Sequence, residues 1–183
     1  MIDARPEIVR LTPARAEHEL SQLAELLMDA VESGASVGFL PPLSKSAALL
    51  YWSEVIADVN KGTSILLVAF EHHIAQGAVH LALETRASGD HRAEICNLMV
   101  HGRARRRGVA TALVRELESV ARHLGRTLLL LETQKGSAAE KLFEALGYIR
   151  FGKVPGFSRG IDGALHPGIF FYRFQTPRSA PNP

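Results

Sequence analysis

The hydrophobic period of this chain changes abruptly at one place, and that place limits what the chain can fold into. Arg92 to Val100 is a strand-like run ending in Leu98-Met99-Val100. It leads into the basic segment His101-Gly102-Arg103-Ala104-Arg105-Arg106-Arg107-Gly108. Val109, Leu113, Leu117, Val120 and Leu124 then recur at helical spacing until Gly125 stops them. A buried strand joined by a short turn to an amphipathic helix belongs in a sheet covered by helices.

The same turn is a ready anion site. The first N–H groups of a helix have no partner within it, and the helix dipole adds partial positive charge at that end. Together they favour a phosphate. Gly108 allows close backbone approach, Ala110 leaves room, and the arginines add forked donors. A charge run alone would mean only a solvated loop. Here Arg105, Gly108 and Ala110 hold fixed places between strand and helix, which favours the anion site. No Gly-Lys-Ser/Thr follows, so this is no nucleotide P-loop, and the Gly-x-Gly of a dinucleotide fingerprint is missing.

The remaining periodicity completes an outline. Glu7 to Leu11 predicts a first strand, and Thr12-Pro13 an N-cap with proline in the first turn. One helix is expected from there to Gly34, with Leu20, Leu23, Leu27 and Val31 as its buried stripe. Gly34 to Pro42 is rich in small residues and reads as a loop. Ser44 opens a helix that buries Ala48, Trp52, Val55 and Val59 and ends at Gly62. Ile65–Phe70, Ile74–Leu83 and Arg92–Val100 form a meander with turns at Glu71-His72-His73 and Ser88-Gly89-Asp90. After the helix to Leu124 come a strand, Thr127–Glu132, a helix to about Leu146, and strands Tyr148–Val154 and Ile169–Phe174. The expectation is an α/β fold with a mixed, mostly antiparallel central sheet flanked by helices. It forms one domain over 1–176, with a flexible tail over 177–183.

Composition narrows the function. A formal charge of +2 is too small for a general nucleic-acid binder. Cys96 is the only cysteine, which excludes an internal disulfide and a multi-cysteine zinc cage. One thiol in a strand fits a reducing compartment. Met1-Ile2-Asp3-Ala4-Arg5 lacks a signal-peptide pattern, and no apolar run is long enough to span a bilayer. A cytoplasmic protein is expected, without membrane or nucleic-acid partners, as a monomer or homodimer. His80 and His166 show no ligand spacing, so no metal is expected.

Arg105-x-x-Gly108-x-Ala110 matches the Arg/Gln-x-x-Gly-x-Gly/Ala signature of the GNAT N-acetyltransferase family, which the chain resembles from Glu7 to Phe174. The resemblance implies acetyl-CoA as co-substrate. The main-chain N–H groups of Arg107, Gly108, Val109, Ala110 and Thr111 would hold its pyrophosphate, with Arg105 and Arg106 also in the cofactor site. The backbone of Leu98, Met99 and Val100 would pair with its pantetheine arm. An N–H near Met99 or Val100 would polarise the thioester carbonyl. Ser137 and Phe143 fall in the second cofactor segment, which runs to Tyr148. Many members carry a tyrosine where this chain has Phe143, and phenylalanine cannot protonate a leaving thiolate. Tyr148 and Tyr172 are candidates for that role, with core packing as the alternative for each.

Gly34-Ala35-Ser36-Val37-Gly38-Phe39, Arg92-Ala93-Glu94 and Leu165-His166-Pro167 are similar to one branch of the family, the tabtoxin-resistance acetyltransferases, which inactivate a β-lactam toxin. This implies a small-molecule amine acceptor, bordered by Ser36, Phe39 and His166. It also implies two carboxylates, Glu94 and Glu132, that bind the acceptor ammonium and remove its proton. An alkyl amine is mostly charged at neutral pH, so a base near the thioester is useful. Burial and mutual repulsion are expected to raise the pKa of one of the pair. The structural alternative pairs Glu94 with an arginine such as Arg92 and leaves Glu132 capping a strand end. Ser137 and Glu140 read as a capping box, and Cys96 as a buried thiol rather than an acyl carrier. Two other functions stay open: acetylation of a protein or peptide amine, and a non-catalytic acyl-CoA-binding sensor.

Overall fold

A computed structural model of the chain describes residues 6–176. The segment 177–183, expected as a tail, lies outside the described residues. Seven strands form one sheet: β1 (Glu7–Arg10), β2 (Ser64–Glu71), β3 (Ile74–Leu83), β4 (Arg92–Val100), β5 (Leu128–Gln134), β6 (Ile149–Arg159) and β7 (Leu165–Phe174). Their spatial order is β1-β2-β3-β4-β5-β7-β6. Every neighbouring pair is antiparallel except β4 and β5. Parallel neighbours need a crossover, and the helix Val109–His123 supplies it. The expected mixed, mostly antiparallel sheet is what the chain forms.

The period-2 pattern of the strands divides the core in two. On one face Leu66, Val68, Phe70 and Ala78 meet α1 (Pro13–His18), α2 (Leu20–Glu32) and α3 (Lys45–Asn60), with Trp52 fully buried among them. On the other, Ile65, Leu67, Ala69, Leu129, Leu131, Ile169 and Phe171 meet α4 (Val109–His123) and Phe143 of α5 (Ala138–Ala145). The caps follow the sequence. Thr12 accepts from the Arg15 N–H at 3.4 Å and Ser44 from the Ala47 N–H at 3.2 Å. Ser137 accepts from the Glu140 N–H at 3.1 Å. The β2–β3 turn is two left-handed residues, His72 and His73, as a two-residue hairpin loop requires.

Two expectations change. The single helix from Thr12 is broken at Glu19, whose ψ of 4° ends α1 and starts α2. The last two strands are longer than their apolar runs, so Leu165, His166 and Pro167 lie in a strand, opposite Ser158 and Arg159, rather than in a loop. Among the described residues no helix is long and apolar enough to cross a membrane.

Candidate active site

The parallel pair β4–β5 is short. It joins Arg92, Ala93 and Glu94 to Leu128, Leu129 and Leu130, and there it ends. Beyond Glu94, β4 stays paired with β3 as far as Val100, and β5 stays paired with β7 as far as Gln134. The strands therefore part, and the β5-facing backbone edge of β4 is left open. A bulge accompanies the parting. Cys96 lies opposite His80 and Met99 opposite Ala78, so two residues of β4 face one of β3. Asn97 sits there with φ of 47°. Bulges bend a strand and raise its twist.

A buried polar chain holds the bulge. The Asn97 amide donates to Tyr51 Oη at 2.5 Å, Tyr51 Oη lies 3.1 Å from His80 Nε2, and His80 Nδ1 lies 3.4 Å from Ser64 Oγ. Ser64 donates to the Leu81 carbonyl at 3.3 Å. Burial lowers the His80 pKa to about 4 and raises that of Tyr51 to about 12, so both are neutral at pH 7. One direction satisfies every atom: Asn97 donates to Tyr51, Tyr51 to His80, His80 to Ser64, and Ser64 to the backbone.

Between the parted strands lies a cleft of about 890 Å³. Its floor is Glu94 to Val100, and its far wall is Leu131 to Gln134 with Ser137, Leu142 and Phe143. At one end stands the N-terminus of α4. Gly108 caps this helix in a left-handed conformation, φ 80°, with no side-chain hydrogen bond. The first-turn N–H groups of Val109, Ala110 and Thr111 thus face the cleft without a capping acceptor. Arg105 and Arg106 line the same end.

Three of the arginines have separate structural tasks. Arg103 donates to Gln76 Oε1 at 3.0 Å and to the Ala75 carbonyl at 3.1 Å, fixing the turn to β3. Arg105 Nε holds the Val100 carbonyl at 3.1 Å. Arg107 grips both carboxylate oxygens of Glu71, at 2.6 and 3.0 Å, and lies outside the cleft lining. That hydrogen bonding also lowers the Glu71 pKa. Of the residues expected at the donor end, Leu98, Met99, Val100, Arg105, Arg106, Gly108, Val109, Ala110, Thr111, Ser137 and Phe143 line one cleft, and Arg107 does not. The shape fits a long, phosphate-bearing acyl donor: an anion site at one end, an open strand edge along its length and an apolar wall at Leu142 and Phe143.

Glu94 and Glu132 both face the cleft. Arg92 pairs with Glu84 at 2.9 Å, not with Glu94. Glu132 Oε1 is buried without a hydrogen-bond partner. Its pKa is raised, first by burial and then by the charge of Glu94. Cys96 lines the same cleft, its thiol donating to the Glu94 carbonyl at 3.6 Å, and burial raises its pKa to about 12, which keeps it protonated. Ser36 and His166 line the cleft, His166 held by Asp162 at 3.0 Å. Phe39 instead lines a smaller chamber of about 270 Å³ that shares Gly34, Ala35, Ser36 and Gln134 with the cleft. Arg159 to Ile161 of the β6–β7 hairpin form its other wall.

Neither tyrosine expected as a substitute acid reaches the cleft lining. Tyr148 Oη donates to Glu118 Oε1 at 3.0 Å, and its pKa is raised, chiefly by burial. Tyr172 stacks against Phe151 and Phe174 on the open side of the sheet. The capping box forms with one shift: Glu140 reaches back to the Gly136 N–H and also pairs with Arg150. Sequence reasoning missed Asn97, Tyr51 and His80. The available signal was one asparagine in an apolar strand, a residue that tolerates the left-handed region.

The family model of the acetyltransferase (GNAT) family matches residues 21–148. Among solved structures, the chain is similar to a ribosomal-protein-alanine N-acetyltransferase from Brucella melitensis, at 21% identity and TM-score 0.77 over 92% of this chain and 99% of that one. It is similar to yncA from Salmonella typhimurium, with its cofactor acetyl-CoA, at 18% identity and TM-score 0.76 over 98% and 99% of the two chains. A phosphinothricin acetyltransferase from Sinorhizobium meliloti in complex with acetyl-CoA gives 18% identity and TM-score 0.77 over 98% and 94%. At these identities the structural likeness speaks for the fold.

Proposed function

Because the chain belongs to the acetyltransferase (GNAT) family, we propose that it moves the acetyl group of acetyl-CoA to the amine of a small molecule, with Glu132 and Glu94 drawing the proton from the attacking nitrogen. The observation that carries this reading is the orphaned, buried oxygen of Glu132 beside Glu94 in the cleft. A buried carboxylate without a partner is costly. An ammonium arriving between the two carboxylates would relieve that cost, and either could then take its proton.

Acetyl-CoA supplies an activated thioester. The N–H groups of Val109 to Thr111 and the side chains of Arg105 and Arg106 bind its phosphates, and the open edge of β4 aligns its arm. The amine attacks the thioester carbonyl carbon, its proton passes to a carboxylate, and the thiolate leaves. With Phe143 in the apolar wall, the thiolate leaves without a tyrosine acid. Thiols are acidic enough, near a pKa of ~8.5, for this to be workable.

A small acceptor is favoured by how the second chamber closes. A Cβ on Gly34 would come within 3.2 Å of Ile161 Cδ1, so the loop and the hairpin tip are in contact. That narrows the approach for a peptide. An amino acid or an amino-acid-like toxin would fit the chamber, and the phosphinothricin enzyme among the structural relatives is named for such a compound. The test is release of free CoA thiol with amino acids, polyamines, aminoglycosides, amino-acid toxins and N-terminal peptides. Turnover with a small amine is expected. Turnover with peptides alone would move the reading to protein acetylation, and acetyl-CoA binding with no turnover on any amine would favour a sensor.

A further inference from the structure

Among the described residues, two side chains lining the cleft have a buried oxygen without a hydrogen-bond partner, and they are consecutive in β5: Glu132 Oε1 and Thr133 Oγ1. Neighbours in a strand point to opposite faces of the sheet. Leu129 and Leu131 belong to the core cluster that includes Phe143, and Thr133 is the next residue of their row. It lies opposite Ile169, another member of that cluster. Glu132 follows the other row, with Leu130, which is paired with Glu94. The opening between β4 and β5 thus has a hydrogen-bond acceptor on one face and a hydroxyl on the other. Packing alone does not account for the hydroxyl. Thr133 is only 6% exposed, valine has nearly its shape, and a buried hydroxyl that makes no hydrogen bond is destabilising.

We propose that the Thr133 hydroxyl donates a hydrogen bond to the sulfur of the acyl donor and stabilises the thiolate as it leaves. Its role in turnover rests on the proposed acetyl transfer, whereas its contact with the bound thiol rests only on donor binding. The two orphaned oxygens match the two charge demands of that reaction. An amine that attacks must lose a proton, which needs an acceptor. A sulfur that leaves gains an electron pair, which needs a donor.

The faces also agree with the direction of transfer. Val109 and Leu113 of α4 belong to the cluster on the Thr133 side, so a donor held at the α4 N-terminus reaches the opening from that face. The amine meets the carboxylates on the other. Its nitrogen bonds to the carbonyl carbon and gives a proton to a carboxylate. The carbon–sulfur bond breaks, and its electron pair stays on sulfur, on the Thr133 face. Thr133 keeps its own proton, because an alcohol is far less acidic than a thiol. It is a hydrogen-bond donor to the thiolate, not an acid. Leu142 and Phe143 in the cleft wall have no proton to offer.

The thiol of CoA is the probe. Its ionisation on the full chain is followed by the ultraviolet absorbance of the thiolate as pH rises. A hydrogen bond to the thiolate lowers the thiol pKa. In Thr133→Val the bound thiol is expected to hold its proton roughly tenfold more tightly than in wild type, the scale of one hydrogen bond to a charged group. Thr133→Ser should keep the wild-type value. The single-turnover rate of Thr133→Val should fall by a similar factor at unchanged acetyl-CoA affinity, while its thermal melt stays at or above wild type because an unpartnered hydroxyl is gone. A merely structural role would move the melt and leave the thiol alone. Equal thiol pKa values in wild type and Thr133→Val overturn the proposal, and so does a wild-type chain that does not bind CoA. If Thr133→Val does not fold, Thr133→Ala reads the same shift. A shifted thiol with no turnover on any amine supports the contact and fails the transfer, so the two fail separately.

Discussion

Glu132 is under tension of a simple kind. Burial and the Glu94 charge both oppose its ionisation, yet a base must be ionised to work. kcat/KM should therefore rise with pH through a value above the ordinary carboxylate range. Glu132→Gln should remove that limb and cost roughly a hundredfold or more in kcat, the usual scale of a general base, while acetyl-CoA affinity stays within a few-fold. Near-normal turnover in both Glu132→Gln and Glu94→Gln across pH would rule out the carboxylate mechanism. Stability should move the other way. A folded-state pKa raised above the unfolded value contributes stability that is full at low pH and lost as pH rises through the folded value. Glu132→Gln should thus melt higher than wild type at pH 7, and the gap should close below about pH 4. Thermal melts at the two pH values read this directly. The sequence marked this pair as carboxylates in or beside apolar strands, but it could not say which one carries the shift. That depends on which of the two is buried once the strands part.

In the proposed function the element that does most for the donor is the start of α4. Gly108 adopts φ 80°, and no atom lies within 4 Å of where its Cβ would be. Gly108→Ala therefore meets no clash and should cost only the backbone term, ~1–2 kcal/mol, measurable by denaturant unfolding. A much larger loss would mean that the turn is packed in some further way. This element was legible in the sequence because strand, arginine, glycine and helix leave distinct marks at fixed spacing. The bulge at Asn97 was not, since its cause is a hydrogen-bonded chain through Tyr51 and His80, residues 46 and 17 positions away in sequence. The extension of β6 was hidden for a different reason. From Lys153 to Phe157 the strand is exposed, so neither face imposes the alternation by which a strand is recognised.

At the scale of the whole molecule, one sheet does two jobs because its strands are covered unevenly. β2 and β3 are buried on both faces, which fixes the register of β4. β4 can then part from β5 without disturbing the core, because β7 takes over the pairing of β5. The parting is the proposed site, with the α4 N-terminus at the end assigned to the donor and Glu94 and Glu132 at the end assigned to the acceptor. The fold class was legible in the order of hydrophobic periods. The cleft was legible only through its phosphate loop, because a gap between strands has no residue pattern of its own. In the proposed function the α4 N-terminus grips the acyl donor. Isothermal titration of acetyl-CoA into wild type and Ala110→Asp tests it most directly. An aspartate in the first turn favours the helix dipole, so the fold should hold, but its charge stands where a phosphate would bind. One binding site per wild-type chain is expected, with affinity weakened at least tenfold, ~1.4 kcal/mol, in Ala110→Asp. Equal affinity in the two proteins, or no binding by wild type, would contradict it.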